Sequence, residues 1–492
     1  MRRRLSSVLS CLVGLLLLAA AWAQAPADNA ASKLIAATLG PSPIEKNLRR
    51  LTDEIGGRVP GSPAMRKAVA WAVEAFRQAG VDEVHTEKFT MPASWSEGET
   101  RVEVLGAATF PVRAVSVGWS PAANLEARVV DVGHGTEQDF ARAGEFRGAI
   151  VLVHAGLLRT LEDLFAEYMN APGIIDRAVR GGAAAILWMS TRERGLLYRH
   201  QNNLLGEIDR LPQAIVARED AERLARTLAG SGTLRVRLVL ANRIGGPIEE
   251  ENVVAEIRGT ERPEEIVILG AHLDSWELGT GALDNGCNSA LVIEVARAIR
   301  AAGLKPRRTI RFVLWGGEEQ GMHGSWKYAQ AHAGEMDRIV ANVTFDEGTG
   351  RTTGYSLGGR RDIEAAVREI LRPVESWGAN AHTADAFVGT DNLDFLLHGV
   401  PTLVANQEDS NYMENYHAES DTYDKADIRE LKMNTAIAAI TVYGIAYRAE
   451  RIGKRQTRAE IEALMKETGL DNQLKTFGMW EQWQRGERGR PK

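Results

Sequence analysis

Histidine and carboxylate side chains follow predicted strands in the second half of the chain, or stand in the loops between them. They are His272, Asp284, Glu318, Glu319, Asp346 and His417. Because the carboxyl ends of parallel strands meet at one edge of a sheet, we expect these side chains to lie close together. Imidazole and carboxylate groups suit zinc, and the set is large enough for two ions roughly 3.5–4 Å apart.

The stretch FVLWGGEEQG ends a predicted strand on two adjacent carboxylates, Glu318 and Glu319. An ordinary solvated acidic loop is the simpler interpretation of this pair taken alone. Adjacent loop residues point in different directions, however, so Glu319 can bind a metal while Glu318 faces a water molecule. We expect Glu318 to accept a proton from that water and to pass it to the leaving amine.

Asp274 lies two residues after His272 in the stretch GAHLDS. This spacing lets the Asp274 carboxylate accept the second ring N–H of His272, as metal-bound histidines generally require. We therefore predict a supporting catalytic role for Asp274.

Short apolar strands alternate with helical patterns from Glu251 to the long final helix that begins near Ile428. This alternation predicts an α/β fold in which a largely parallel mixed sheet lies between helices. Helical spacing from about residue 28 to residue 80, followed by the strand VDEVHTEKFT, adds elements to the same fold.

The middle of the chain has a different sequence pattern, with short β-type runs, and we interpret it as an inserted α+β module. The charged tail is predicted to hold a terminal helix and a frayed end, without chemistry. The predicted division is a signal peptide (1–23), the first part of a catalytic domain (24–94), the insert (95–245), the catalytic domain with the metal site (246–455) and the tail (456–492).

The first residues predict export. A basic start, an apolar run from Leu12 to Trp22 and a small-residue cleavage site ending at Ala23 are typical of a secretory signal. No later segment has the length of a membrane helix, so we expect a secreted or periplasmic protein without a membrane span.

Cys287 would be the one cysteine left after removal of the signal, which rules out an internal disulfide. A net charge of −6 without basic patches argues against nucleic acid.

The motifs GAHLDSWELGTGALDNG, VLWGGEEQG, TFDEG, VGTDNLDFLLHGVP and NYHAESDTYDK resemble those of the co-catalytic zinc exopeptidases of the aminopeptidase and glutamate carboxypeptidase type. The resemblance extends over nearly all of the chain after the signal. It implies two zinc ions per chain: His272 and Asp346 would bind one, Glu319 and His417 the other, and Asp284 would bridge both. The insert resembles a protease-associated domain.

The same resemblance implies that Glu318 is the general base and that Thr390 and Asp391 lie near the substrate side, where each contacts substrate or supports the residues that do. It also implies a cis peptide bond after Asp284 and a homodimer. The expected activity is hydrolysis of short peptides, above all dipeptides. The alternatives are an aminopeptidase that trims longer peptides and, less favoured, a binding module without catalysis.

Two residues depart from the family pattern, Ala418 after His417 and Asn392 after the Gly-Thr-Asp stretch, and both bear on substrate contacts more than on catalysis. Other candidates have simpler explanations. We expect Cys287 to pack the start of a helix and His323 to lie on the surface. Structural positions are expected for four more residues: His382, His398, Trp276 and Trp315.

Overall fold

The computed structural model describes residues 29–106 and 109–491. The predicted signal peptide, residues 1–23, lies outside these ranges. Among the helices of the described ranges, none has the length and hydropathy that a membrane crossing requires.

The described residues form strands and helices in regular succession. The strands are β1 (Glu83–Met91), β2 (Ser94–Ser96), β3 (Thr100–Leu105), β4 (Pro111–Val112), β5 (Ala114–Ser116), β6 (Ala123–Asp131), β7 (Ile150–Val153), β8 (Ala185–Met189), β9 (Gln213–Val216), β10 (Arg235–Leu240), β11 (Arg243–Gly245), β12 (Ile248–Ile257), β13 (Arg262–His272), β14 (Arg308–Trp315), β15 (Ile339–Thr344), β16 (Thr352–Ser356) and β17 (Thr402–Gln407). The helices are α1 (29–39), α2 (Ile44–Arg49), α3 (Pro63–Ala79), α4 (Glu137–Ala143), α5 (Leu161–Arg180), α6 (Arg218–Ser231), α7 (Cys287–Ala301), α8 (His323–Ala331), α9 (Glu364–Leu371), α10 (Leu393–Leu397), α11 (Tyr412–Asn415), α12 (Ile428–Tyr447), α13 (Arg458–Thr468), α14 (Leu470–Thr476) and α15 (Trp480–Arg485).

The main sheet has seven strands in the order β1-β12-β14-β13-β15-β17-β16. Its centre, from β14 through β13 and β15 to β17, is parallel, and the strands outside that centre pair antiparallel. The mixed α/β sheet is therefore confirmed, with its parallel part confined to the middle. His272 pairs with Trp315 at the carboxyl ends of β13 and β14, so the loops after these strands leave from the same edge.

The alternation of side chains along β14 explains why helices cover both faces of this sheet. Ile310, Phe312 and Leu314 belong to the large core shared with α3, α7 and α12, whereas Val313 and Trp315 point to the opposite core beside α8 and α10. Successive strand residues face opposite sides, so an unbroken apolar run buries both faces. This burial fixes the strand ends from which the candidate site projects.

A second sheet of eight strands, in the order β4-β3-β10-β6-β7-β8-β9-β5, occupies residues 100–240. It falls within the predicted insert and has apolar clusters of its own. The short ribbon of β2 and β11 lies where the chain enters and leaves this module. We call residues 95–245 the insert below; its identification as a protease-associated domain stays a prediction.

The tail forms α13, α14 and α15, and the predicted frayed end is wrong. Trp483 is 1% exposed, and Arg488 makes a double hydrogen bond with Asp394, 2.9 Å for each contact. The charged composition suggested solvent exposure. Composition does not reveal that the charge of Arg488 is paired with Asp394 in the interior.

Candidate metal centre

The structure brings the five predicted ligands together at the carboxyl edge of the main sheet. His272 Nε2 lies 2.9 Å from Asp346 Oδ1 and 3.1 Å from Asp284 Oδ1. His417 Nε2 lies 2.8 Å from Glu319 Oε2 and 3.2 Å from Asp284 Oδ2. The side chains thus form two groups of potential ligands that share Asp284, one carboxylate oxygen facing each group.

The buried carboxylates give this centre a strong preference for positive charge. Burial alone would lower the pKa of His417, but the charge of Glu319 and hydrogen bonds to the neighbouring carboxylates raise it to about 9. Similarly, Asp346 and its neighbours outweigh burial and raise the pKa of His272 well above its usual value. Burial raises the pKa of Glu319 to about 7. A divalent cation would satisfy these charges better than protons do.

His272 is oriented by a main-chain group and not by the carboxylate predicted from the sequence. Its Nδ1–H donates to the carbonyl oxygen of Asp274 at 3.0 Å, while the Asp274 carboxylate lies 3.7 Å away. That carboxylate instead accepts the main-chain N–H groups of Glu318 and Glu319, both at 3.2 Å. Asp274 therefore supports both His272 and the acidic pair, because the turn after β13 brings its carbonyl under the imidazole.

The loop that carries Asp284 is held by Asp421, a residue that the sequence reasoning missed. The Asp421 carboxylate accepts the N–H groups of Ala282 at 3.1 Å, Leu283 at 2.7 Å and Asp284 at 3.2 Å. The peptide bond between Asp284 and Asn285 is cis, as the resemblance implied. Asp421 stands four residues after His417 in YHAESDT, but spacing alone gives no sign of its partner.

Arg58 is a second residue that the sequence reasoning missed. It is fully buried and donates to the carbonyl oxygens of Leu273 at 2.6 Å, Thr280 at 2.7 Å and Gly281 at 2.9 Å. Burial lowers its pKa to about 10, against the opposing charges of the site carboxylates. Arg58 belongs to the turn GGRVPGSP, and from there it holds the loop between His272 and Asp284 in place.

Glu318 lies beside the two ligand groups and not within them. Its Oε2 is 4.0 Å from His272 Nε2, and the residue lines the cleft above the site. Burial raises the pKa of Glu318 well above its usual value, and the charges of Asp346 and Asp391 add to this effect. The carboxylate is placed to act on a molecule in the cleft.

Thr390 lines the cleft, whereas Asp391 is fully buried behind it. Of the two roles expected for Asp391, this position favours support of the residues around it over direct contact with a substrate. Ala418 and Asn392, the two departures from the family pattern, are buried and likewise do not line the cleft.

The cleft above the site has a volume of about 900 Å³. The first turns of α5 from the insert, the loop 384–390 and the tail helices α13 and α14 all contribute to its walls. The insert and the tail thus both border the space in which a substrate would bind.

The side candidates fall mainly where the sequence placed them. Cys287 is fully buried and its Sγ lies 3.3 Å from the Leu283 carbonyl, and Trp276 and Trp315 are core residues. His323 is 1% exposed, so the surface prediction is wrong. The insert covers the start of α8, where Gly206 approaches the His323 ring. His382 accepts the main-chain N–H of Tyr355 at 3.1 Å and His398 is buried, which agrees with structural positions.

Comparison with known proteins identifies related chains. Residues 252–442 match peptidase family M28. Human carboxypeptidase Q is 28% identical over 409 residues, which cover 82% of this chain and 84% of that protein. A probable lipoprotein aminopeptidase of Mycobacterium tuberculosis is 27% identical over 440 residues, covering 81% and 82%. The crystal structure of a peptidase M28 precursor from Shewanella amazonensis has a TM-score of 0.78 and 27% identity, covering 88% and 99%.

These findings confirm the resemblance to the co-catalytic zinc exopeptidases. Within that group the motifs of this chain indicate carboxypeptidase Q, and the comparisons confirm that likeness as well.

Proposed function

Because this chain is a metallo-exopeptidase with a peptidase family M28 domain over residues 252–442, we propose that it hydrolyses short peptides, with dipeptides as the expected substrates, at a centre of two zinc ions. One observation carries the proposal. The two oxygens of the buried Asp284 carboxylate face two separate ligand groups, each completed by one histidine and one further carboxylate.

The donor set fits two zinc ions. His272 and Asp346 would hold one, Glu319 and His417 the other, and Asp284 would contribute to both. Within the described residues Glu319 Oε1 is buried and has no hydrogen-bond partner, so a ligand atom is available there. When bound, two zinc ions polarise a scissile carbonyl and lower the pKa of a water molecule.

Glu318 is the proposed general base. It accepts a proton from the attacking water and delivers it to the nitrogen of the leaving amine, so that the peptide bond breaks into a free carboxylate and a free amine. Its position in the cleft wall, outside both ligand groups, leaves its carboxylate unshared. Asp274 keeps the acidic pair in place through the two main-chain N–H groups that it accepts.

An aminopeptidase acting on longer peptides is the second candidate, and the cleft volume favours it. At about 900 Å³ the cleft lies near the upper end of the ~300–1,000 Å³ range of small-molecule sites. It therefore has room for more than two residues. Thr390 would contact substrate in either case, since it lines the cleft. The intact ligand set and Glu318 argue against a binding module without catalysis.

Metal content and hydrolysis, measured on the same preparation, test the proposal. We expect two zinc ions per chain and cleavage of dipeptides with free ends, but not of dipeptides with a blocked amino group. Stepwise shortening of a free-ended pentapeptide would assign the aminopeptidase activity instead. A chain that binds no zinc and gains no activity from added zinc would contradict both.

We also propose that the protein is exported, to the periplasm or beyond, and that it forms a homodimer. Export rests on the basic and apolar start of the sequence, and the dimer rests on the resemblance alone. Cell fractionation tests the first, and light scattering of the purified chain tests the second.

A further inference from the structure

The two ligand groups differ in which part of the chain supports them. In the group of His272 and Asp346, the supporting contacts come from the catalytic domain itself. His272 donates to the Asp274 carbonyl at 3.0 Å, and the side-chain amide of Asn285 donates to Asp346 Oδ1 at 2.8 Å. Neither of these two hydrogen bonds involves the insert.

In the group of Glu319 and His417, the insert supplies supporting contacts in addition to the Asp274 carboxylate, which accepts the Glu319 N–H. His417 Nδ1–H donates to the Arg199 carbonyl at 2.9 Å, and the Arg199 N–H donates to the His417 carbonyl at 2.9 Å. Tyr198 and Ala418 form an antiparallel β-bridge beside this pair. The side-chain amide of Gln201 donates to the main-chain carbonyl of Glu319.

The Arg199 side chain anchors this segment. It is fully buried, and its guanidinium contacts Glu97 of the insert and Glu277 of the catalytic domain, each at 2.5 Å. The guanidinium also lies 5.3 Å from the centre of the Trp95 ring. Arg199 thereby links the insert to the loop that follows His272, and its main chain cannot move without breaking this network.

Gln201 is fixed from the opposite side. Its Oε1 accepts the indole N–H of Trp119 at 3.1 Å, and the residue is 2% exposed. The amide that reaches Glu319 therefore has a single orientation. Among the hydrogen bonds of residues 29–106 and 109–491, the insert reaches both unshared ligands of the Glu319 and His417 group and neither of the His272 and Asp346 group.

We propose that Arg199 and Gln201 are positioning residues through which the insert sets the metal affinity of the Asp284, Glu319 and His417 position, while the position of His272 and Asp346 does not depend on them. This inference rests on the proposed two-zinc function. Outer-shell partners keep a ligand histidine in its tautomer and hold ligand residues in orientation, and loss of such a partner typically lowers metal affinity by about 10–100-fold.

Zinc affinity of variants tests the inference without any use of activity. Zinc-loaded wild type and Gln201→Leu, Arg199→Met and Arg237→Met variants are titrated with a chelator, and the zinc released is counted. Arg237→Met is the control, because Arg237 pairs with Glu126 on the exposed surface of the same insert. We expect Gln201→Leu and Arg199→Met to release one ion about 10–100-fold more readily than wild type, and the second ion as wild type does.

Thermal unfolding of the metal-free chains shows whether each variant is folded. Arg199→Met leaves two carboxylates facing an empty position, so Gln201→Leu, which removes no charge, is the decisive variant if Arg199→Met unfolds. Wild-type release of both ions from folded Gln201→Leu, or equal weakening of both, would overturn the inference and leave the proposed function standing. A wild-type chain that holds fewer than two ions would overturn both.

Discussion

Glu318 and Glu319 are consecutive residues whose carboxylates face different parts of the site. Glu319 Oε2 lies 2.8 Å from His417 Nε2, whereas Glu318 Oε2 reaches no closer than 4.0 Å to His272 Nε2 and borders the cleft. Because the two side chains are chemically identical and adjacent, substitutions at the two positions separate proton transfer from metal binding with little other change.

Glu318→Gln should abolish most activity and leave the metal in place. Loss of a positioned general base typically lowers the rate by about 10²–10⁴-fold, and the amide has nearly the same shape as the carboxylate. We expect kcat to fall within that range while zinc per chain, measured by atomic emission, stays at the wild-type value. Activity near that of wild type would remove Glu318 from the role of base.

Asp284→Ala should lose zinc as well as rate, since it removes the carboxylate that faces both ligand groups. We expect zinc per chain after dialysis to fall below the wild-type number. Asp385→Asn is the matched control, because Asp385 is an exposed carboxylate in the cleft wall outside both groups. An unchanged zinc content in Asp284→Ala would contradict the bridging position.

Zinc binding by the metal-free chain should weaken as the pH falls. Zinc binds the deprotonated ligands, and in the metal-free chain the pKa is about 9 for His417 and about 7 for Glu319. Above pH 9 neither group carries a competing proton, whereas below pH 7 both do. Affinity should therefore fall by about tenfold per pH unit for each proton displaced.

Chelator competition at pH 6, 7, 8 and 9 measures this dependence. Calorimetry in two buffers of different ionisation enthalpy counts the protons released. An affinity that stays constant from pH 6 to pH 9 would show that His417 and Glu319 are not the groups that zinc displaces from their protons.

Arg488→Met should destabilise the chain, because it leaves Asp394 buried without its partner. Both side chains are 1% exposed. Breaking a buried pair from one side costs about 3–5 kcal/mol, whereas replacing both partners by apolar groups is often close to neutral. We expect a loss of this size in urea unfolding of Arg488→Met and recovery of most of it in Arg488→Met with Asp394→Leu. A loss below about 1 kcal/mol in the single variant would mean that the tail is not held by this pair.

Much of the fold and of the candidate ligands could be predicted from the sequence, because local patterns encode them. The apolar runs that lead to His272, Glu318 and Asp346 indicate strands, and the candidate ligand and catalytic residues follow these strands directly. Because the carboxyl ends of parallel strands meet at one edge of a sheet, the loops after these strands lie close together. Substrate roles and dipeptide preference are not encoded locally, and they stay predictions.

What the sequence did not reveal depends on partners far away in the chain. Asp421 holds a loop 137 to 139 residues earlier, and Arg58 reaches a carbonyl 215 residues later. His323 appeared to be a surface residue because the insert residues that cover it are more than 100 positions away. The tail was predicted to be exposed because the sequence does not distinguish a buried arginine from an exposed one.

The contact between Arg199 and His417 joins residues that are 218 positions apart. Closing so long a loop costs more conformational entropy than any local pairing, and folds that depend on distant contacts form slowly. The insert and the main sheet can each acquire their own cores before this contact exists. The hydrolytic centre is therefore complete only when the two sheets have docked, so the return of activity on refolding reports that docking as well as the formation of each sheet.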